Sequence, residues 1–472
     1  MSVVRVERER TKEGEDRYTV VENGTGEAWP KDGHFNVVGK PLPRVEGHLK
    51  VTGHAEYAYD VRLAGQLYAK VLRSPHPHAR IVRIDTSKAE ALDGVRAVLS
   101  RQTTPDMAWF QDAELFSDVV RYVGDEVAAV AADSEEIAED ALRLIEVEYE
   151  LLPFVVDPGA ALEPGAPKIH KDGNVGGEIA EYERGDVAAG FASADVVVEQ
   201  TYVTQAALHN CLEPHGCTAA WEGDRLTLWD STQSIFDVRQ TVAEKLKLPE
   251  HRVRVVKQFM GGGFGSKQIA WKHTALAALL SKQSGHPVQL MLDREAENLA
   301  SGNRNPTRQR VRLGAKRDGT LVAIDAEIVQ AVGAYRVGGE SADVDGAYQT
   351  LYRCPNVKTH QTPVYTNTGP AVAFRAPGYV EGAFALESAM DDLARELSID
   401  AIELRRKNYS EVDQKAGKPY TAPDGLRRCY EAVQQQFGWK QAGQAKAQTG
   451  GSKRRGVGFA AHDWIGGAGH PP

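Results

Sequence analysis

The stretch from Val255 to Trp271, VVKQFMGGGFGSKQIAW, limits the possible folds most strongly, because four of residues 261–265 are glycine. A β-branched run precedes these glycines and a helix-like segment follows them, so the pattern predicts a strand, a loop and a helix. Three consecutive glycines with an embedded phenylalanine exceed what a tight turn requires. We interpret the loop as one that presents backbone N–H groups to a bound cofactor beside a helix N-terminus; a turn without a ligand is the alternative.

Two common phosphate-binding motifs do not match this loop. A P-loop needs glycine before its lysine and serine or threonine after it, whereas Ser266 precedes Lys267 and Gln268 follows it. A dinucleotide fingerprint counted from Gly261 has Ser266 where its last glycine should stand. A nucleotide-dependent enzyme of either type is therefore disfavoured.

Composition narrows the classes of partner. The chain has 472 residues, enough for several domains, and a net charge of −9, which disfavours nucleic acid as a partner. Its four cysteines are too few and too scattered for a disulfide scaffold, so we expect a reducing, cytoplasmic compartment. No run of about 18 apolar residues is present, so no membrane span is expected.

The pattern along the chain predicts an α+β protein with two main domains. The predicted segments are a flexible, charged N-terminal tail over residues 1–35, a first α+β domain over 36–160, a Pro/Gly-rich linker over 161–195, a second domain over 196–440, and a polar linker with a strand-like start over 441–472.

Four elements are predicted with particular clarity. Ser134 is expected to cap a helix, and the helix after the glycine loop should end at Gly285. Asp318-Gly319 predicts a hairpin turn. The spacing of Met390, Leu393 and Leu397 predicts the buried face of a long helix.

Two further segments carry candidate site residues. HNCLEPHGC places His209, Cys211, His215 and Cys217 within nine residues. Zinc sites usually take ligands from two separated knuckles, so buried thiols on a strand and turn are favoured over zinc, and we assign no metal ligands. In AFRAPGYVEG, Arg375 stands just before a helix, either as a structural ion-pair partner or as a rigid donor to an anionic or polarised ligand.

Together these motifs resemble the molybdopterin-binding large subunit of the xanthine dehydrogenase and aldehyde oxidase family of molybdenum hydroxylases. GKPLPRVEGHLKVTGHAEYAYD, RSPHPHARI and VRYVGDEVAAVAA resemble its a/b-hammerhead domain. HNCLEP, DSTQS, GGGFGSK and AFRAPGYVEGAFALESAMDDLARELSIDAIELRRKN resemble its first molybdopterin-binding domain, in the family's order. The resemblance covers residues 37–466 and implies these two domains in this order.

The resemblance also implies roles for individual residues. Gly262, Gly263, Phe264 and Gly265 would wrap the cofactor, with the amide of Phe264 near a metal-bound oxygen. Gln233 matches the glutamine whose side chain donates a hydrogen bond to that group. Ala373, Phe374 and Arg375 match the segment on the substrate side. Gln233, Phe264 and Arg375 are the residues expected to act in catalysis.

The family hydroxylates an aldehyde or an N-heterocycle with oxygen derived from water. The implied cofactor is molybdopterin with molybdenum, in the cytosine dinucleotide form. The implied partners are an iron–sulfur subunit with [2Fe–2S] clusters, a subunit carrying FAD, and a second molybdopterin-binding chain, because the four cysteines here lack cluster spacing.

Three departures from the family pattern bear on activity. The family's catalytic glutamate lies in a second molybdopterin-binding domain, and this sequence stops as that domain begins, so we expect half of a split subunit that is inactive alone. Gln268 stands where purine-oxidising members carry glutamate, and FRAPG lacks the aromatic residue that follows the arginine in purine enzymes. Both weaken a purine assignment. The alternative is an inactive or truncated pterin-binding or assembly module.

Overall fold

The computed structural model describes residues 33–104, 106–338, 343–420, 422–440, 452 and 456–463, with the backbone of residues 3–10 and 16–23. Its internal contacts divide the chain into two units, Met1–Ala55 and Glu56–Pro472. Most of the predicted C-terminal linker and strand start, residues 441–472, lies outside the described residues.

The first unit contains a hairpin within the segment that we predicted as a flexible tail. Strands β1 (Val3–Arg10) and β2 (Asp16–Asn23) pair antiparallel, and a short helix, α1 (Gly47–Val51), follows. Within this segment Val4-Arg5-Val6-Glu7 alternates apolar with charged residues, a short period-two signal that the charged composition obscures.

The second unit carries the remaining elements. They are β3 (Leu67–Arg73), β4 (Ala79–Asp85), α2 (Ser87–Glu90), β5 (Val95–Ser100), β6 (Ala108–Phe110), β7 (Ala113–Glu114), β8 (Val119–Val120), β9 (Glu126–Ala132), α3 (Glu135–Leu144), β10 (Glu146–Leu151), β11 (Ala180–Arg184), α4 (Val187–Ser193), β12 (Val196–Thr204), β13 (Ala207–Leu208), β14 (Gly216–Glu222), β15 (Arg225–Asp230), α5 (Ile235–Lys245), β16 (Val253–Val256), α6 (Lys272–Ser284), β17 (Val288–Met291), α7 (Arg294–Ala300), β18 (Asn303–Arg304), β19 (Thr307–Ala315), β20 (Leu321–Gly333), α8 (Gly346–Thr350), β21 (Val357–Tyr365), α9 (Tyr379–Leu397), α10 (Ala401–Lys407), β22 (Val412–Asp413), β23 (Lys418–Pro419) and α11 (Gly425–Phe437).

A seven-stranded mixed sheet joins the two predicted domains. Its strand order is β16-β15-β14-β17-β3-β9-β5, so three strands from the first predicted domain continue into four from the second. The junction is the parallel pairing of β17 with β3, in which Leu67, Tyr68 and Ala69 lie opposite Val288, Gln289 and Leu290. The domains predicted from sequence therefore share one sheet and one apolar core.

A five-stranded sheet forms the second layer. Its order is β11-β21-β20-β19-β12, and α9 packs on it through Met390 and Leu393, which are fully buried. Leu397 is partly buried against the same cluster, so the predicted apolar stripe does face the core. Strand β11 and helix α4 fall inside the predicted linker, which means that its second half packs with the second domain.

The other well-defined sequence predictions are confirmed. The Ser134 side chain accepts a hydrogen bond from the N–H of Ile137 and caps α3. Gly285 ends α6 in a left-handed conformation, with φ of 72°. Strands β19 and β20 form the predicted antiparallel hairpin around Gly319.

A buried cluster of charges ties α6 to the first predicted domain. The ammonium of Lys272 lies 3.4 Å from Asp125 and 3.1 Å from Glu126. Arg73 pairs with Glu126 at 2.9 Å, and the hydroxyl of Tyr335 donates to Asp125. Burial alone would lower the pKa of Lys272, but the two carboxylates outweigh it and raise that pKa. Because α6 follows the glycine loop directly, this cluster also anchors the candidate site.

Removing the charge of Lys272 should destabilise the chain strongly. Lys272→Met leaves two buried carboxylates without their shared cation, so we expect a loss of about 3–5 kcal/mol in unfolding free energy. Chemical denaturation with a folding-sensitive spectroscopic signal measures this loss. Lys282→Met, at an exposed position of the same helix, is the matched control and should cost less than about 1 kcal/mol. Equal losses in the two variants would contradict the anchoring role.

Candidate functional site

The glycine loop lies between β16 and α6, and three other segments close around it. The hydrogen bond from the N–H of Gln233 to the carbonyl of Lys267 is 2.7 Å and brings in the turn after β15. Arg375 donates its N–H to the carbonyl of Phe264 at 2.8 Å, which brings in the segment before α9. Glu213 donates its N–H to the carbonyl of Gly261 at 3.2 Å. Segments far apart in sequence therefore meet at one place.

Close packing explains why two of the glycines are required. A Cβ placed on Gly263 would lie 2.4 Å from the Oε1 atom of Gln233. A Cβ on Gly265 would lie 2.1 Å from the carbonyl oxygen of Ala373, and Gly265 has φ of +117°, where side chains are rarely tolerated. Contacts within the protein therefore explain why positions 263 and 265 are glycine.

The side chain of Gln233 is oriented by the loop. Its Oε1 accepts a hydrogen bond of 2.8 Å from the N–H of Gly265. The Nε2 group consequently points its two donors elsewhere, and it donates to no group among the described residues. Gln233 is half-buried, so this donor is held in a defined direction while it remains accessible.

Phe264 and Arg375 face outward from the same junction. Phe264 adopts a left-handed conformation with φ of 53°, and 46% of it is exposed. Arg375 is also exposed, and within the described part of the chain its guanidinium makes no hydrogen bond or ion pair. The interpretation of Arg375 as a structural ion-pair partner therefore does not hold for these residues.

Hydrogen-bond donors dominate the junction. The N–H groups of Gly262, Gly263 and Phe264 donate to no acceptor among the described residues. Nε2 of Gln233 and the guanidinium of Arg375 likewise donate to no acceptor among the described residues, so several unpaired donors lie at this junction. Such a set suits an oxygen-rich, negatively charged group, for which backbone amides and arginine are effective ligands.

Glu213 and Lys267 hold the glycine loop in place through hydrogen bonds. The carboxylate of Glu213 accepts from the N–H of Gly261 at 2.7 Å and from the N–H of Ala58 at 3.1 Å. Lys267 is 1% exposed, and its ammonium donates at 2.7 Å both to the carbonyl of Glu213 and to the hydroxyl of Ser231. Burial lowers the pKa of Lys267, and the nearby carboxylate of Glu213 opposes that effect.

The four side chains of HNCLEPHGC do not converge on one point. His215 pairs with the buried Glu297 at 3.0 Å, whereas Nε2 of His209 bonds the carbonyl of Ala373 at 2.9 Å. Cys217 lies in the apolar core, and burial raises the pKa of the Cys211 thiol. Over the described ranges, no group of three or more His, Cys, Asp or Glu side chains is placed to hold a metal ion.

The sequence motifs predicted one site formed by the loop, Gln233 and the 373–375 segment. They gave no role to the residues that hold these parts in position. Glu213 and Lys267 stood inside the recognised motifs, so their positions were visible while their contacts were not. Arg304, which pairs with Glu381 and touches the 373–375 segment, carried no sequence signal.

Helices within the described residues are all too short or too polar to cross a bilayer.

Two family models match the chain. The molybdopterin cofactor-binding domain matches residues 169–409, and the a/b-hammerhead domain of aldehyde oxidase and xanthine dehydrogenase matches residues 52–153. These matches confirm the predicted hammerhead domain followed by a molybdopterin-binding domain.

Curated relatives agree with these matches. The chain is 40% identical over 383 residues to a probable xanthine dehydrogenase component of Bacillus subtilis, an alignment covering 79% of this chain and 51% of that protein. It is 36% identical to the nicotinate dehydrogenase large molybdopterin subunit of Eubacterium barkeri, with 81% and 91% covered. The chain thus spans about half of the first relative and most of the second.

Solved structures show the same fold. Quinoline 2-oxidoreductase from Pseudomonas putida 86 superposes with a TM-score of 0.80 at 30% identity, covering 86% of this chain and 55% of that one. Reconstituted CO dehydrogenase from Oligotropha carboxidovorans gives a TM-score of 0.79 at 29% identity, covering 86% and 55%.

The two packed glycines should differ in their tolerance of a methyl group. In Gly263→Ala the new Cβ meets the end of a side chain that can rotate, so we expect a loss of about 1–3 kcal/mol in unfolding free energy. In Gly265→Ala the new Cβ meets the backbone of Ala373, and the alanine must adopt a strained φ. The loss should therefore be larger, about 3 kcal/mol or more. Denaturation midpoints rank the two variants.

Gly458→Ala is the control for this comparison, because a Cβ there has nothing within 4 Å and its φ is not positive. This variant should have an unfolding free energy within about 0.5 kcal/mol of that of the parent. If Gly265→Ala were as stable as this control, the loop could not be packed as described.

Proposed function

Because the chain belongs to the xanthine dehydrogenase and aldehyde oxidase family of molybdenum hydroxylases, we propose that it is the molybdopterin-binding subunit of such an enzyme, oxidising an aldehyde or an N-heterocycle with oxygen derived from water. One observation carries the proposal. The unpaired donors of Gln233, the glycine loop and Arg375 lie at a single junction of the described residues.

The residues at this junction fit the proposed cofactor. Molybdopterin, here in its cytosine dinucleotide form, supplies the oxidation chemistry when bound, and the protein supplies binding and orientation. In this proposal the N–H groups of Gly262, Gly263 and Phe264 bind its oxygen atoms, and Nε2 of Gln233 donates from the other side. These donors are fixed before binding, so little reorganisation accompanies charge development.

Arg375 is proposed to act on the substrate side. Its backbone is fixed to Phe264, while its exposed guanidinium remains available. A planar guanidinium can hold a carboxylate or a polarised ring substituent through two parallel hydrogen bonds. Ala373 and Phe374 complete this wall of the proposed site.

The names of some relatives support an order in which substrates should be tested. Proteins similar to this chain are named for nicotinate and quinoline, both N-heterocycles. We therefore place N-heterocycles first and aldehydes second among the substrates to be tested. Nicotinate carries a carboxylate, a group that the guanidinium of Arg375 is suited to bind.

Partner subunits are part of the proposal. A relative of which 91% is covered by the alignment is itself called a large molybdopterin subunit, which supports a complex in which this chain holds only part of the cofactor site. The proposed partners are a second molybdopterin-binding chain, an iron–sulfur subunit with [2Fe–2S] clusters and a subunit with FAD.

The amide nitrogen of Gln233 should be required for turnover but not for folding. Gln233→Glu keeps an oxygen that can accept from Gly265 and removes the Nε2 donor, so kcat per bound molybdenum should fall by roughly 10²–10³ while the chain stays folded. Steady-state kinetics of the purified complex, with metal analysis, measures both effects.

Gln240→Glu introduces the same charge at an exposed position of α5 and should leave kcat unchanged. Gln233→Ala removes the donor and the acceptor together and should lower both turnover and stability. Parent-like turnover in Gln233→Glu would refute the role of this amide.

Co-purification tests the proposed assembly. A tagged copy of the chain, expressed in its source cells and purified under native conditions, should bring down the three partner subunits, with molybdenum, iron and flavin in the complex. Expressed alone and supplied with mature cofactor, it should show no turnover of nicotinate, quinoline or aldehydes with an artificial electron acceptor. Robust turnover by an isolated monomer would refute the split site.

A further inference from the structure

The backbone of residues 373–376 has an unusual conformation that needs support. Ala376 adopts φ of 61°, a left-handed conformation that is costly for a residue other than glycine. Strained backbone of this kind persists where the surrounding structure fixes it. Two hydrogen bonds tie the main chain of the segment to the glycine loop and to His209, one from the N–H of Arg375 to the carbonyl of Phe264 and one between Nε2 of His209 and the carbonyl of Ala373.

Arg304, on β18, supplies the missing support. One guanidinium nitrogen, Nη2, donates to the carbonyl of Arg375 at 2.9 Å. The other, Nη1, donates to Oε2 of Glu381 at 2.9 Å. The guanidinium carbon also lies 4.5 Å from the centre of the Phe374 ring, within cation–π range. One side chain therefore holds two consecutive residues of the segment.

Glu381 fixes the direction of that guanidinium. It lies in the first turn of α9, is 2% exposed, and leaves its Oε1 buried without a hydrogen-bond partner. Burial raises its pKa, although Arg304 opposes the effect. A buried ion pair with an unsatisfied oxygen adds little to stability and serves better to select one conformation.

We propose that the Arg304–Glu381 pair is a positioning device that sets the backbone of residues 373–376, and with it the direction of the Arg375 guanidinium. The proposal rests on the function proposed above, because Arg375 is there the substrate-side donor. Arginine suits this role better than lysine, since two separate guanidinium nitrogens reach the Arg375 carbonyl and Glu381 in a fixed planar geometry while the same plane lies over Phe374.

Hydrogen–deuterium exchange of the full chain in its complex tests the proposal without using activity. In Arg304→Lys the N–H of Arg375, bonded to Phe264, should exchange about tenfold faster or more, because a charge-assisted support of the segment is lost. Peptides from β20 in the five-stranded sheet should exchange as in the parent. The readout is the ratio between the 373–376 peptide and the β20 peptides.

Two further variants make the result specific. Glu381→Gln keeps an acceptor for Arg304 and removes the charge, so it should fold and show a smaller acceleration of the same peptide. Arg96→Lys alters an exposed arginine of β5 that pairs with Asp133, and it should change neither peptide. Unchanged exchange at 373–376 in Arg304→Lys, or equal acceleration in β20, would overturn the positioning role.

Kinetics of the same complexes separates this inference from the proposed function. If both hold, Arg304→Lys keeps its pterin and molybdenum while kcat/KM falls at least about tenfold, and Glu381→Gln loses less. A parent complex that contains no pterin or molybdenum would refute the proposed function, and the exchange ratio would still decide the role of Arg304. Local acceleration with unchanged kcat/KM would overturn the link to Arg375.

Discussion

The candidate site depends on a close approach of backbones that only glycine permits. At Gly263 the chain lies against the side chain of Gln233, and at Gly265 it lies against the carbonyl of Ala373. A side chain at Gly265 would separate the loop from the backbone of Ala373, and one at Gly263 would displace the side chain of Gln233. The donors of the loop, Gln233 and Arg375 share one junction because nothing stands between their backbones.

Around this junction, three buried or partly buried cations of the second unit act as braces, each linking segments that are distant in sequence. Lys267 draws the 213–214 turn and the end of β15 together, Lys272 ties α6 to the hammerhead strands, and Arg304 holds the 373–376 segment. Each is paired with a carboxylate, which offsets part of the cost of burying its charge. Such braces are directional, whereas apolar packing alone tolerates small shifts of the kind that would misplace a donor.

Sequence alone predicted the local elements that the structure confirms, and the family resemblance supplied the site residues that we propose, for reasons that the structure makes clear. The cap at Ser134, the hairpin at Gly319 and the apolar stripe of α9 are set by neighbours in the chain. The braces are set by contacts between distant segments; Arg304, for example, lies 77 positions from Glu381. No periodicity or motif records such a pairing. The hairpin of β1 and β2 was missed because a charged composition was weighted above a period-two pattern.

The sheet that crosses the boundary between the two family domains has a consequence for how such chains can be divided. Strand β3 is an interior strand, bonded to β17 on one side and β9 on the other. A cut in the connection between the two matched regions spares every strand, but pulling the fragments apart would bare two open edges able to recruit strands from other chains. Fragments cut there should complement one another when produced in the same cell, whereas either one produced alone should aggregate. The hammerhead can therefore be recognised as a domain in the sequence, but its sheet is completed only by strands of the second domain.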